Sequence, residues 1–155
     1  MHKYTVALRI SGETLDAPAL TQALGIEPTH AVRVGEARLR GLAQKPLWSF
    51  EVFPTGSGEW DSLEDGLQAL LRVFASRIAT IRQLQQQFEV FLWCGHFSSS
   101  FDGGPRLSAQ MLKTLGDFGV ELYLDSYSHS AHLASCWRVV GQHPGGLSHS
   151  SQKNE

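Results

Sequence analysis

Five short segments whose apolar residues alternate with polar ones, or run almost unbroken, are separated by stretches with apolar residues every three and four positions. That succession restricts the chain to helices packed on a sheet. Over 4–10, Tyr4, Val6, Leu8 and Ile10 alternate with Thr5, Ala7 and Arg9, the period of a strand with one buried face. Asp16-Ala17-Pro18 opens a short helix with Leu20, Ala23 and Leu24 inside, and Gly25 stops it. Val32 and Val34 flank Arg33 in a brief second strand ending at Gly35-Glu36, and the residues from there to Pro46 read as loop. A third strand over 47–53 points Trp48, Phe50 and Val52 one way, Ser49 and Glu51 the other. Leu63, Leu67, Leu70, Leu71, Phe74, Ile78, Ile81 and Leu84 predict one long amphipathic helix, capped by Ser62, with Glu64 and Asp65 at the positive end of its dipole. A fourth strand over 88–94 is broken at Gly95, and a Ser- and Gly-rich loop runs on to Pro105. Ser108 caps a third helix, with Leu107 stapled to Leu112 and Gly119 at its end, and 120–127 forms a fifth strand.

The order is that of an α+β fold, a ferredoxin-like β-α-β-β-α-β core extended by one helix and one strand. Right-handed crossovers then put all helices on one face of a mixed, mainly antiparallel sheet, with strands in the order 5-4-1-3-2. Alternation assigns Val6, Leu8, Trp48, Phe50, Val52, Val90, Leu92, Leu122 and Leu124 to the helix side. The uncovered side collects Arg9, Ser49, Glu51, Glu89, Phe91, Trp93, Tyr123, Asp125 and Tyr127. Aromatics supply contact area there, while Arg and carboxylates fix orientation. The candidate binding residues are Arg9, Glu51, Phe91, Trp93, His96, Tyr123, Asp125 and Tyr127. Coverage of the same aromatics by the C-terminal segment or by a second subunit is the competing reading. Residues 1–128 are expected to form the single domain, with 129–155 an extension that is disordered at least over 145–155.

Chemistry is less legible. With 13 Lys plus Arg against 15 Asp plus Glu, the net charge of −2 points to neither nucleic acid nor an anionic membrane, and no apolar run suits a signal segment or a span, so a cytoplasmic protein is expected. Cys94-Gly95-His96 has the makings of a nucleophile and base, but Cys94 falls in the apolar alternation and reads as core. His129, His132 and Cys136 are spaced to share a helix face, a weak metal signal in a polar tail, and no metal or cofactor is assigned. The 95–104 loop lacks the Gly-Lys-Ser/Thr ending of a phosphate-binding loop, and is a candidate pocket rim instead. Arg33, Arg38 and Arg40, with Lys45, form the one locally basic loop and the candidate anion site. Asp61, Glu64 and Asp65 suit a helix start rather than acid–base catalysis.

Val6-Ala7-Leu8-Arg9-Ile10-Ser11-Gly12-Glu13, Leu24-Gly25-Ile26-Glu27-Pro28-Thr29, Gly35-Glu36, Leu47-Trp48-Ser49, Cys94-Gly95-His96-Phe97, Leu107-Ser108 and Tyr123-Leu124-Asp125 occur in that order. Together they resemble the bacterial family catalogued as domain of unknown function 4279, over about residues 4–128. Val34 stands where that family often has a basic residue. The resemblance implies a small bacterial stand-alone protein and carries no activity. The leading expectation is a cytoplasmic binding or interaction protein, immunity-like in size and acidity, with a protein partner or a homodimer formed through the open sheet face. The alternative is a small-ligand protein or enzyme with a pocket near Trp93, His96 and the 95–104 loop.

Overall fold

The computed structural model describes residues 1–38, 41–56, 58–100 and 103–128. Its organising element is β1 (His2–Ser11), central in a sheet of five strands. On one side β1 pairs antiparallel with β5 (Leu47–Val52), which pairs antiparallel with the short β2 (His30–Val32). On its other side β1 pairs antiparallel with β6 (Glu89–Ser98), and β7 (Glu121–Ser128) lies parallel to β6. The order β2-β5-β1-β6-β7 is the expected order, and the fold is mixed α+β.

Residues facing each other across neighbouring strands project to the same side of a sheet. Register therefore gathers Val6 with Val52 and Cys94, Leu8 with Phe50 and Leu92, and Ile10 with Trp48 and Val90 into one apolar layer. Leu20 and Leu24 of α1 (Ala17–Leu24) and Leu67, Leu70 and Phe74 of α2 (Leu63–Phe74) pack into the same core. So do Ile81 of α3 (Ile78–Leu84) and Met111, Leu115 and Phe118 of α4 (Ala109–Phe118). The Trp48 indole, fully buried, gives its N–H to Thr21 Oγ1 of α1 at 3.1 Å, so the large ring brings no unsatisfied donor into the core. Ser62 and Ser108 cap α2 and α4, accepting from the Asp65 and Met111 amides, and Gly25 and Gly119 end α1 and α4 in the left-handed conformation.

Four local expectations are corrected. The stripe from Leu63 to Leu84 does not form one helix: a 3₁₀ turn at Ala75–Arg77 separates α2 from α3. There the Arg77 guanidinium donates to Val73 O at 3.0 Å and Leu24 O at 2.6 Å, taking a carbonyl that a regular helix would offer to the Arg77 amide. The second strand stops at Val32; Val34 sits 61% exposed in a turn, and the expected loop beyond holds a two-stranded ribbon of β3 (Ala37–Arg38) and β4 (Gly41–Leu42). Leu107 packs on the core but Leu112 is 56% exposed, so no staple closes the start of α4. Finally, β6 continues through Gly95 to Ser98. A Cβ at Gly95 would lie 2.6 Å from Thr5 Oγ1 and 2.9 Å from Trp93 Cη2, so the glycine permits close approach instead of breaking the strand.

Replacing Gly95 by Ala is accordingly expected to cost about 1–3 kcal/mol through overpacking. Gly116→Ala, in α4 with open space around it, is expected to gain about 0.5–1 kcal/mol. Denaturant unfolding of the two variants checks both signs.

Candidate functional site

On the face away from the helices, cross-strand rows follow from the register. One row is Glu51, Ala7, Trp93 and Tyr123; the next is Ser49, Arg9, Phe91 and Glu121. Beyond Trp93 come Thr5, Gly95 and Asp125, then Lys3, Phe97 and Tyr127. Arg9 is thus a diagonal neighbour of both Glu51 and Trp93, and its guanidinium carbon lies 3.8 Å from the centroid of a Trp93 ring. A cation over an indole face is attracted by the ring quadrupole, more strongly as water is removed. Trp93 is only 6% exposed, so this pair is well shielded. Phe91 meets Tyr123 edge-on at 6.4 Å, and Phe97 stacks on Tyr127 at 5.1 Å. The Tyr127 hydroxyl donates to Asp125.

The same environment acts on Glu51. Burial pushes its carboxyl up to about 7, and the neighbouring Arg9 charge pulls in the opposite direction without cancelling that effect. Near neutral pH the group is poised between an acceptor-only carboxylate and a carboxylic acid that also donates. The Glu51 amide donates to Thr29 Oγ1, whose hydroxyl donates to Ser49 O, so β5 is held in place beneath this carboxyl.

Seven of the eight candidate binding residues share this face. His96 does not. It lies opposite Tyr4 on the helix side of the sheet, with ring centroids 5.0 Å apart, and stacks on His2 at 5.1 Å. His2 Nδ1 and His96 Nε2 are 2.9 Å apart. Burial, followed by repulsion from His2, lowers the His96 pKa. The expected pocket joining Trp93, His96 and the 95–104 loop is therefore not assembled, because strand parity carries unbroken through Gly95. The same parity, extended two residues beyond Cys94, was the signal that places His96 with Tyr4.

Cys94 is fully buried, and burial drives its thiol to about 12, which leaves it protonated and unreactive at neutral pH. In the basic loop, Arg33 is exposed and its amide donates to the Glu36 carboxylate at 2.8 Å, and Lys45 pairs with Glu89 at 3.4 Å. Arg38 belongs to β3, whereas Arg40 lies outside the described residues, as do His129, His132 and Cys136. Among the described residues no three His, Cys, Asp or Glu side chains come together as a metal site, and no helix is long and apolar enough to cross a membrane. A groove of about 1140 Å³ lies elsewhere, where Thr21 and Gly25 of α1 and its turn face Ala31 and Val34.

The two perturbed groups have opposite linkage. Glu51 has a folded pKa above its ordinary 4.5, so its contribution is full below 4.5 and is lost as pH rises through about 7. The total is at most about 3 kcal/mol. The stability of Glu51→Gln relative to the parent should therefore grow across that window, and Arg9→Met should move the Glu51 midpoint upward, as followed by carboxyl NMR titration. His96 has a lowered folded pKa, so its contribution is present above the ordinary 6.5 and is lost as pH falls through the depressed value. His96→Phe, which keeps a ring against Tyr4, should lessen the acid-side loss in unfolding experiments run below 6.5.

Comparison with curated proteins and with solved structures returned no significant match. A family model described as Domain of unknown function (DUF4279) matches residues 2–129, from the first residue of β1 to just past the end of β7. With the sheet and both of its faces lying inside that match, the chain belongs to the DUF4279 family.

Proposed function

We propose that this chain is a binding protein whose sheet face away from the helices recognises a protein partner, with Arg9, Glu51, Phe91, Trp93, Tyr123, Asp125 and Tyr127 as the contact set. The observation that carries the reading is Arg9 laid over Trp93 beside a carboxyl poised near neutrality. Arg and large aromatics are the side chains that most often dominate binding energy, because they combine area with directional charge. Tyr123, 55% exposed, supplies an accessible aromatic next to that pair. In its full form the reading is of a bacterial cytoplasmic protein of immunity-like type, neutralising a partner by covering it. The scaffold beneath is read as ferredoxin-like, which the order and directions of β2, β5, β1 and β6 support.

The small-ligand or enzyme reading is second. It keeps Trp93 and Arg9 but has no histidine from position 96 on that face.

The test compares the parent with Tyr123→Ala and Glu51→Lys in affinity capture from the native host, after circular dichroism has shown both variants folded. A stoichiometric partner should bind the parent and weaken by about tenfold or more with each variant, the scale of a lost 1.4 kcal/mol contact. Equal recovery by all three sinks the proposed face. For the second reading, a thermal-shift screen of nucleotides, sugars and metabolites should show saturable stabilisation, and a flat screen removes it.

A further inference from the structure

We infer that the outer edge of β7 pairs antiparallel with β7 of a second copy of this chain, joining two sheets into one across a twofold axis at Leu124. The inference uses the backbone edge of the sheet and does not rest on the proposed recognition reading, although Tyr123, Asp125 and Tyr127 border both surfaces.

The two edges of the sheet are built differently. β2 has three residues, follows Glu27-Pro28 and is followed by the turn at Val34-Gly35, so it offers little backbone to a new strand. Short edge strands, proline and lysine are the usual devices that blunt an edge. β7 has none of them: it runs for eight residues, Glu-Leu-Tyr-Leu-Asp-Ser-Tyr-Ser, and among the described residues pairs only with β6. Leu124 is 40% exposed although it projects to the same side as buried Cys94. An apolar side chain on that side, at an unblunted edge, fits a strand still to be added.

Symmetry and charge then select both occupant and register. In an antiparallel pair, directly opposed residues project to the same side, so a twofold axis normal to the sheet must pass through a residue pair, not between residues. Centring on Tyr123 sets Glu121 against the other copy's Asp125, and centring on Asp125 sets that carboxylate against itself; both oppose like charges. Centring on Leu122, Leu124 or Ser126 opposes no like charges, and of these Leu124 pairs the most of β7. Centring on Leu124 places Leu124 on Leu124, Tyr123 against Asp125, Leu122 against Ser126 and Glu121 against Tyr127, so each carboxylate meets a tyrosine hydroxyl.

The helix above the edge is consistent with the same partner. Gln110, Met111 and Thr114 of α4 line a groove facing Gln68 and Arg72 of α2. At about 100° per residue, Ala109, Leu112 and Gly116 lie on the opposite flank, away from α2. All three are exposed, and none is charged. A second α4 brought up by the twofold would meet this small-residue flank and the exposed Leu112.

The full-length chain carrying Leu124→Cys and Cys136→Ser tests the register, since Cys94 is buried and does not compete. Light scattering after size exclusion should give twice the chain mass for the parent. Mild oxidation should lock Leu124→Cys as a covalent dimer, while Glu121→Cys in the same background should not crosslink, its copy lying about six residues of strand away. Leu124→Lys, which places two like charges on the axis, should shift the parent dimer to monomer by at least tenfold in dissociation constant. A monomeric parent overturns the inference, as does a dimer that survives Leu124→Lys and leaves Leu124→Cys reduced and uncrosslinked. Either result leaves the Tyr123→Ala and Glu51→Lys capture experiment to stand or fall on its own.

Discussion

The double pairing of β1, with β5 on one side and β6 on the other, is the constraint from which the rest of the molecule follows. Side chains alternate along a strand, so once β1 is in register, every residue of its two neighbours is committed to a side. Val6, Leu8 and Ile10 bury themselves under the helices, and the same pleat obliges Ala7 and Arg9 to look the other way. A slip of one residue would drive Arg9 into the apolar layer and expose the core, which makes the register energetically steep. The proposed recognition face is thus a by-product of core formation: its composition varies freely only within positions the core has already assigned.

Within that face, two effects compete for Glu51. Removal of water favours the neutral acid, the Arg9 charge favours the carboxylate, and the outcome near 7 shows that burial dominates. Arg9 is meanwhile held against Trp93, which limits how closely it can neutralise Glu51. The guanidinium therefore keeps an electrostatic role toward the indole that a simple ion pair with Glu51 would have consumed. On the other side of the same sheet, burial likewise favours neutral His96 and protonated Cys94. Dehydration sets the protonation of all three groups, and charge pairing is the smaller influence.

Sequence periodicity was sufficient for strand order and for the sorting of Arg9, Glu51, Trp93 and Tyr123 to one side, because each lies in a run whose alternation is uninterrupted. It failed where a local residue carried two meanings. Gly95 signals a break by composition, yet here the absent Cβ makes room for Thr5 and Trp93, and misreading it turned His96 to the wrong face. The stripe through Leu84 has the right period for one helix, but periodicity does not register that the Arg77 side chain captures the Val73 carbonyl. The stacking of His2, Tyr4 and His96 joins positions far apart in the chain, and only the β1–β6 register brings them together.

A partner seated on the helix-free face would change the balance that fixes Glu51. Covering the carboxyl removes still more water, which by itself raises its pKa above 7 and draws in a proton on binding. A partner that brings a lysine or arginine against Glu51 reverses this, because a nearby cation stabilises the carboxylate and expels the proton. A partner carboxylate directed at Arg9 has a further effect, since it competes with the indole for the guanidinium and withdraws part of the charge now restraining Glu51. Proton uptake or release on binding would thus report the charge that such a partner places over Arg9 and Glu51. A partner on the proposed face would therefore be sensed by the same competition between dehydration and charge that sets the resting state of Glu51.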